Sequence, residues 1–375
     1  MPAGDFFTES FHGRYAEEAA RIGRFNLALF GKTGVGKSTL VNAVFGEEVA
    51  RTGIGEPVTE GSSLYLDKRG FLGLVDTKGL ELGRDDKALL KDVDEMVRKG
   101  RKLPLSEQVH VAWYCLRGLD RRFEDSEAEF VTHLAGLGLP VVVVLTQVPM
   151  RDGVYHPDAV ELGRHIIARD LPIVDGRPRL VQAMRDQFTG QPAHGLMELL
   201  DATFRVAPEG VEGALTAAQQ IDVDRKAKVA QAHIGAAVTA AAGAAAVPIP
   251  FSDAAMLVPL QLTMMARISQ IYGLRVERAA MLAVASSAAA TAGGRALVTN
   301  LLKFVPGAGS VAGGVIGAGV ASGITLAMGQ AWLVVCQRAA AGKLETVNGV
   351  IDSEAAQRLF RSELSKHLPK VRGEK

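Results

Sequence analysis

An excess of either charge is missing from this 375-residue chain: 42 lysines and arginines stand against 41 aspartates and glutamates, a net charge of +1. Such a balance leaves no electrostatic footprint for a phosphate backbone, so no nucleic-acid partner is expected. Cysteine is almost absent. Cys115 and Cys336 each sit in an apolar run, with no CxxC and no Cys/His cluster. That excludes a disulfide scaffold and a thiolate metal site, and buried thiols in a reducing cytosol fit instead. The first thirty residues lack the apolar core of a signal peptide, because Asp5, Glu9, Glu17 and Glu18 interrupt it. A cytoplasmic protein is therefore expected. Charge is also missing locally, from Val229–Ser252 and from Phe304–Gln337, while the first 230 residues are crowded with it. Two domains of different character are implied.

What is present early is a glycine-rich loop, Gly31-Lys32-Thr33-Gly34-Val35-Gly36-Lys37-Ser38-Thr39. It follows the apolar run Phe25–Phe30 and precedes Leu40-Val41-Asn42-Ala43-Val44-Phe45. Strand, glycine loop ending Gly-Lys-Ser, then helix is the P-loop arrangement. Its glycines let successive N–H groups turn inward on a phosphate chain. Lys37 adds a cation for the β/γ oxygens, Ser38 a hydroxyl for Mg²⁺, and the helix the positive end of its dipole. A nucleoside triphosphate is the ligand expected.

Along the chain, residues 1–23 read as an N-terminal helix with Phe6, Phe7, Phe11, Tyr15 and Ile22 on one stripe. Arg51–Thr59, punctuated by glycine and without periodicity, reads as a loop. Ser62–Leu66 and Phe71–Val75 read as a hairpin, whose second strand runs into Asp76-Thr77-Lys78-Gly79. Next come a helix over Asp85–Arg101, a strand over Val109–Leu116 and a helix over Asp125–Leu134. A valine-rich strand covers Pro140–Thr146, a helix lies near Asp158–Arg169, and a short strand lies near Leu180–Ala183. A helix over His194–Phe204 closes the domain, and Pro208-Glu209-Gly210 marks a linker, 206–221. The expectation over 24–205 is an α/β domain: a mainly parallel six-stranded sheet with helices on both faces.

These motifs, in this order, resemble the translation-factor class of GTPases and within it the Era-like members. The glycine loop is also similar to that of septin, interferon-inducible and plant Toc-type GTPases. The resemblance implies GTP and GDP as ligands with Mg²⁺. It implies Thr59 and Asp76 as Mg²⁺ contacts beside Ser38, and the Gly79 N–H on the γ-phosphate. Lys37, Thr59 and Gly79 are thereby the catalytic set. Base contacts fall to Thr146-Gln147 and to Gln182-Ala183. The pattern departs at Thr146-Gln147-Val148-Pro149, where the family carries an aspartate in place of Pro149; Asp152 is a nearby carboxylate that a turn could bring back. Leu80 follows Gly79 where Ras-like enzymes carry the glutamine that orients water, so slow turnover is expected unless a dimer or partner supplies a group. Arg121 and Arg122 are candidates for an arginine given in trans. The close glycine-loop relatives imply a homodimer across the nucleotide face.

The second domain, 222–345, reads as all-α and hydrophobic, followed by a charged C-terminal helix over 346–375. Gly309, Gly313 and Gly317 repeat at four-residue spacing, as do Gly319 and Gly323. Such faces allow close helix approach in membranes, and equally in a compact bundle. Membrane contact through 229–337 is the expectation, with inner-membrane association; Arg225-Lys226-Lys228 and Arg338-Lys343 would flank an inserted segment on the cytoplasmic side. Residues 248–274 resemble the hydrophobic C-terminal domain fused to some bacterial Era-like GTPases and shared with YcjF-type inner-membrane proteins. A GTP-dependent switch is the function implied. A nucleotide-gated membrane-active or pore-forming protein and an Era-like ribosome-assembly GTPase are the alternatives.

Overall fold

The computed structural model describes residues 13–18, 20–46, 56–59, 62–67, 69–76, 86–187, 190–245, 253–274, 318–344, 346–347, 350–351 and 353–368. They divide into two compact units, one over 22–223 and one made of 1–21 together with 224–375.

The first unit is built on β1 (Phe25–Phe30), all six of whose residues are buried. A strand buried on both faces belongs at the centre of a helix-covered sheet. Its side chains alternate between two cores: Phe25, Leu27 and Leu29 face one, Ala28 and Phe30 the other. Around it lie β2 (Glu56–Thr59), β3 (Ser62–Leu66), β4 (Leu72–Asp76), β5 (Val111–Arg117), β6 (Val141–Thr146) and β9 (Arg179–Leu180). Their order in the sheet is β2-β3-β4-β1-β5-β6-β9. β4, β5, β6 and β9 run parallel to their neighbours on the β1 side, while β2 and β3 are antiparallel. The α/β architecture is as expected, with seven strands in the sheet among the described residues instead of six. The added strand, β2, occupies the end of the stretch read as a loop. Its four residues show no periodicity, and pairing with β3 holds them extended.

Helices Lys37–Phe45, Leu196–Val206 and Glu209–Ala218 fill the first core; Asp86–Gly100, Asp125–Gly136 and Pro157–Ala168 fill the second. Trp113 of β5 is fully buried and donates from Nε1 to Thr203 Oγ1 at 3.0 Å, which satisfies the indole. The expected linker is in large part a helix. Pro208 occupies its N-cap, Glu209 and Glu212 its first turn, and Val211, Ala214 and Leu215 are buried against the sheet. Proline opens helices as readily as it interrupts chains, and here the apolar residues that follow have a core to enter.

The second unit packs helices Val223–Ala245, Asp253–Ile271, Ala318–Ala340 and Ser353–His367 around Ile234, Met265, Ile268, Trp332 and Phe360. Trp332 Nε1 lies 3.0 Å from both Met265 O and Ser269 Oγ. Gly329 permits the helix approach: a Cβ there would stand 2.9 Å from Ile234. Residues 13–18 and 20–22 are helical. Their anchors are on the helix Asp253–Ile271 and the turn after it, through Glu18–Arg267 (2.7 Å) and Tyr15 Oη to Leu274 O (3.0 Å). Among the described residues no helix is long and apolar enough to cross a membrane. The glycine repeat over 309–317 lies outside the described residues.

At the edge of the sheet where β1 begins, His110 is buried and held neutral. The Asn26 N–H donates to its Nδ1 at 2.8 Å, and Nε2 lies 2.7 Å from Leu105 O. Burial pushes its pKa below the ordinary 6.5, with the Arg24 charge adding to the effect. The unfolded chain therefore takes up a proton before the folded one does. Stability is intact above about pH 6.5 and falls as pH drops below it, by at most about 1.4 kcal/mol per pH unit. Denaturant melts at about pH 7.5 and about pH 5.5 should show that loss, and His110→Gln should flatten it.

Candidate functional site

The site forms where β1 ends, between β4 and β5, the place at which open α/β sheets bind ligands. Gly31 has φ 125°, and a Cβ on it would lie 2.1 Å from the Cys115 carbonyl oxygen of β5, so only glycine fits. Gly34 (φ 84°) and Gly36 (φ 95°) are left-handed, which turns the loop into a cradle. Val35 is buried and pins the loop's middle. Gly36 caps the following helix without a side-chain hydrogen bond, and no acidic residue occupies the first turn. The first N–H groups of that helix and its dipole are thus available to an anion.

Lys37 curls back over the loop, its Nζ donating to Gly31 O at 2.7 Å and Lys32 O at 2.9 Å. Lys32 points elsewhere: Glu124 and Glu127 lie 3.3 and 3.4 Å from its Nζ. Partial burial lowers its pKa, but the Glu127 and Glu124 carboxylates outweigh this and leave it above the ordinary lysine value. The same two glutamates form the capping box of the helix Asp125–Gly136. This tie was missed in the sequence, although Glu124-x-x-Glu127 ahead of a helix carries the capping signal. Cys115, behind the loop, is no nucleophile, since burial pushes its thiol up to about 12.

β6 brings the next expected residues to the loop. The buried Thr146 hydroxyl donates toward Val35 O and lies 3.0 Å from Leu116 O. Gln147 Nε2 donates to Gly34 O at 3.1 Å. Gln182 and Ala183 follow β9 beside this segment: Val148 N donates to Val181 O at 3.2 Å, and Gln182 exchanges backbone bonds of 3.0 Å with His194. Asp76 ends β4 in register with Leu29, two residues before Gly31. Thr59 ends β2 opposite Ser62. Gly79 lies outside the described residues. Asp152 does not return toward the loop segment; with Gly153 it forms the tip of a hairpin between β7 (Met150–Arg151) and β8 (Val154–Tyr155), its side chain 89% exposed. Arg121 is engaged by Asp158 at 2.7 Å, whereas Arg122 is exposed.

Residues 26–147 match the family model described as 50S ribosome-binding GTPase. Their mostly parallel, helix-covered sheet is consistent with the fold of a P-loop GTPase domain. No curated protein matches the chain. The match covers the phosphate loop, β4 and β6 and stops at Gln147, so neither Pro149 nor the helical unit lies within it. The resemblance assigns Mg²⁺ to Ser38, at the head of the helix, and to Asp76, whose backbone ends the adjacent strand β4; hydroxyl and carboxylate oxygens are donors that would suit this ion. Bound there, it would neutralise charge on the β/γ-phosphates.

The lysine is the sharpest point of attack. Lys37→Ala should abolish binding of a fluorescent GTP analogue, by at least about 100-fold, with the thermal melt unchanged.

Proposed function

We propose that this chain is a GTP-binding switch that hydrolyses GTP slowly and passes its nucleotide state to the helical unit. The observation that carries this reading is the cradle at Gly31–Lys37, whose positive-φ glycines, lysine and open helix N-terminus converge on one place. In the proposed switch Thr59 and Gly79 close on the γ-phosphate and release when it leaves. Leu80 cannot orient a water molecule, so intrinsic turnover is on the order of 10⁻³ s⁻¹ or below. Activation comes from a second copy across the nucleotide face or from a partner, with exposed Arg122 the arginine to offer. The helical unit then engages a partner protein or a membrane surface. Supporting this coupling, the GTPase unit is an insertion: the chain leaves the helical unit near residue 21 and rejoins it near 224.

Competition between GTP and ATP for the site, followed by light scattering in each nucleotide state, tests the proposal. GTP should win and should drive dimers; tighter adenine binding would end the GTPase reading, and a monomer in every state would end the dimer. A second reading, association with the large ribosomal subunit, is favoured by the description of the matching family. Co-sedimentation with 50S subunits in the presence of a non-hydrolysable GTP analogue would support it, and its absence would remove it.

A further inference from the structure

With a phosphate chain in the loop, as the proposed function has it, the base lies against the segment that reaches the loop from β6. The chemistry that this segment can offer is small. The Thr146 hydroxyl is spent on the Val35 and Leu116 carbonyls. Val148 gives its N–H to Val181 O, and its carbonyl lies 3.1 Å from His194 Nε2. Pro149 has no N–H to give, and its carbonyl accepts the His156 N–H at 2.9 Å. The next carboxylates along the chain lie elsewhere. Asp152 sits at its hairpin tip 3.9 Å from Arg151 Nε. Asp158 pairs with Arg121 and lies 3.8 Å from His156. Gln147 is different. Its backbone is left-handed at φ 52°, which turns the side chain onto the loop. There Nε2 meets Gly34 O, 3.3 Å from where a Cβ of Gly36 would stand. That bond uses one amide hydrogen and leaves a second donor and the Oε1 acceptor, both on a neutral group.

We propose that Gln147 positions the purine while the guanine edge bearing N1–H and the 2-amino group goes unread. Within the 6-oxopurine nucleoside triphosphates that the proposed function takes, those with and without that amino group are then bound alike. Guanine and hypoxanthine differ only there. A carboxylate accepting both donors makes charge-assisted bonds that hypoxanthine can only half fill, which separates the two bases by about 10- to 100-fold. Proline at position 149 supplies no acceptor of that kind.

Displacement of a fluorescent GTP analogue by GTP and by inosine triphosphate (ITP) tests this in the full-length protein. The two affinities should agree within about threefold. Pro149→Asp should raise the preference for GTP to about tenfold or more. Gln147→Leu should weaken both ligands by the same factor at an unchanged melting temperature. A wild-type preference for GTP above about tenfold would overturn the proposal while leaving nucleotide binding in place. So would a folded Pro149→Asp variant with no gain, or a Gln147→Leu variant with unaltered affinities. Failure of every nucleotide to displace the analogue, or of the analogue to bind, would instead sink the proposed function and this inference with it.

Discussion

The constraint on which the phosphate loop depends is the approach of its backbone at Gly31 to the Cys115 carbonyl of the neighbouring strand. No side chain fits between them. That approach lets the chain leave β1, reverse around two left-handed glycines and start a helix within a few residues. It also explains why β1 and β5 are so thoroughly buried. A loop held this tightly needs both its supporting strands fixed, and Trp113, Tyr114 and Cys115 are fully inside. Hydrophobic burial on both faces of the sheet thus holds the polar cradle in shape before any ligand arrives.

The edge of the sheet opposite the site shows the same economy with a polar group. Asn26, in the otherwise apolar β1, donates from Nδ2 to Ser106 O and Gln108 O and accepts at Oδ1 from Arg24. Gly73 in β4 leaves the room, since a Cβ there would meet Asn26 Oδ1. Every polar atom of the buried amide is paired, as a low-dielectric interior demands. Together with His110, this network fixes where β1 begins, so the strand is held at both ends.

The phosphate loop was legible because its spacing is local: strand, glycines, lysine and helix lie within about twenty residues and each signal is a propensity. Strand alternation and the two-face helical cover were legible for the same reason. The clamp by Thr146 and Gln147 was legible only as position by resemblance. Its hydrogen bonds join residues more than a hundred apart, and the left-handed backbone of Gln147 has no local signature. The Asp152-Gly153 pair did carry the signal of a two-residue hairpin turn, which sends that carboxylate to the tip and away from the base segment. Pro208-Glu209-Gly210 misled because proline and glycine mark breaks and helix starts alike. Only the buried Val211 and Leu215 beyond them decide between the two.

The helical unit gains its meaning from where the chain crosses into it. The anchors on both crossings meet the same stretch, the last turns of Asp253–Ile271 and the turn beyond. Glu18 pairs with Arg267, Tyr15 binds Leu274 O, and buried Lys226 donates to Ile271 O at 2.8 Å beneath the Tyr272 ring. On the GTPase side, the first crossing enters β1 directly, and the second leaves the helix Glu209–Ala218, which packs on β1. A single-tether domain can swing without disturbing its partner. Here the chain crosses twice: both crossings are held by side chains at one helix end, one runs directly into β1, and the other leaves a helix packed on β1. Of these anchors, Glu18 is buried and faces two arginines, Arg267 at 2.7 Å and Arg21 at 3.1 Å. The proposed coupling between nucleotide and helices therefore has its support in chain connectivity, two crossings in place of one tether.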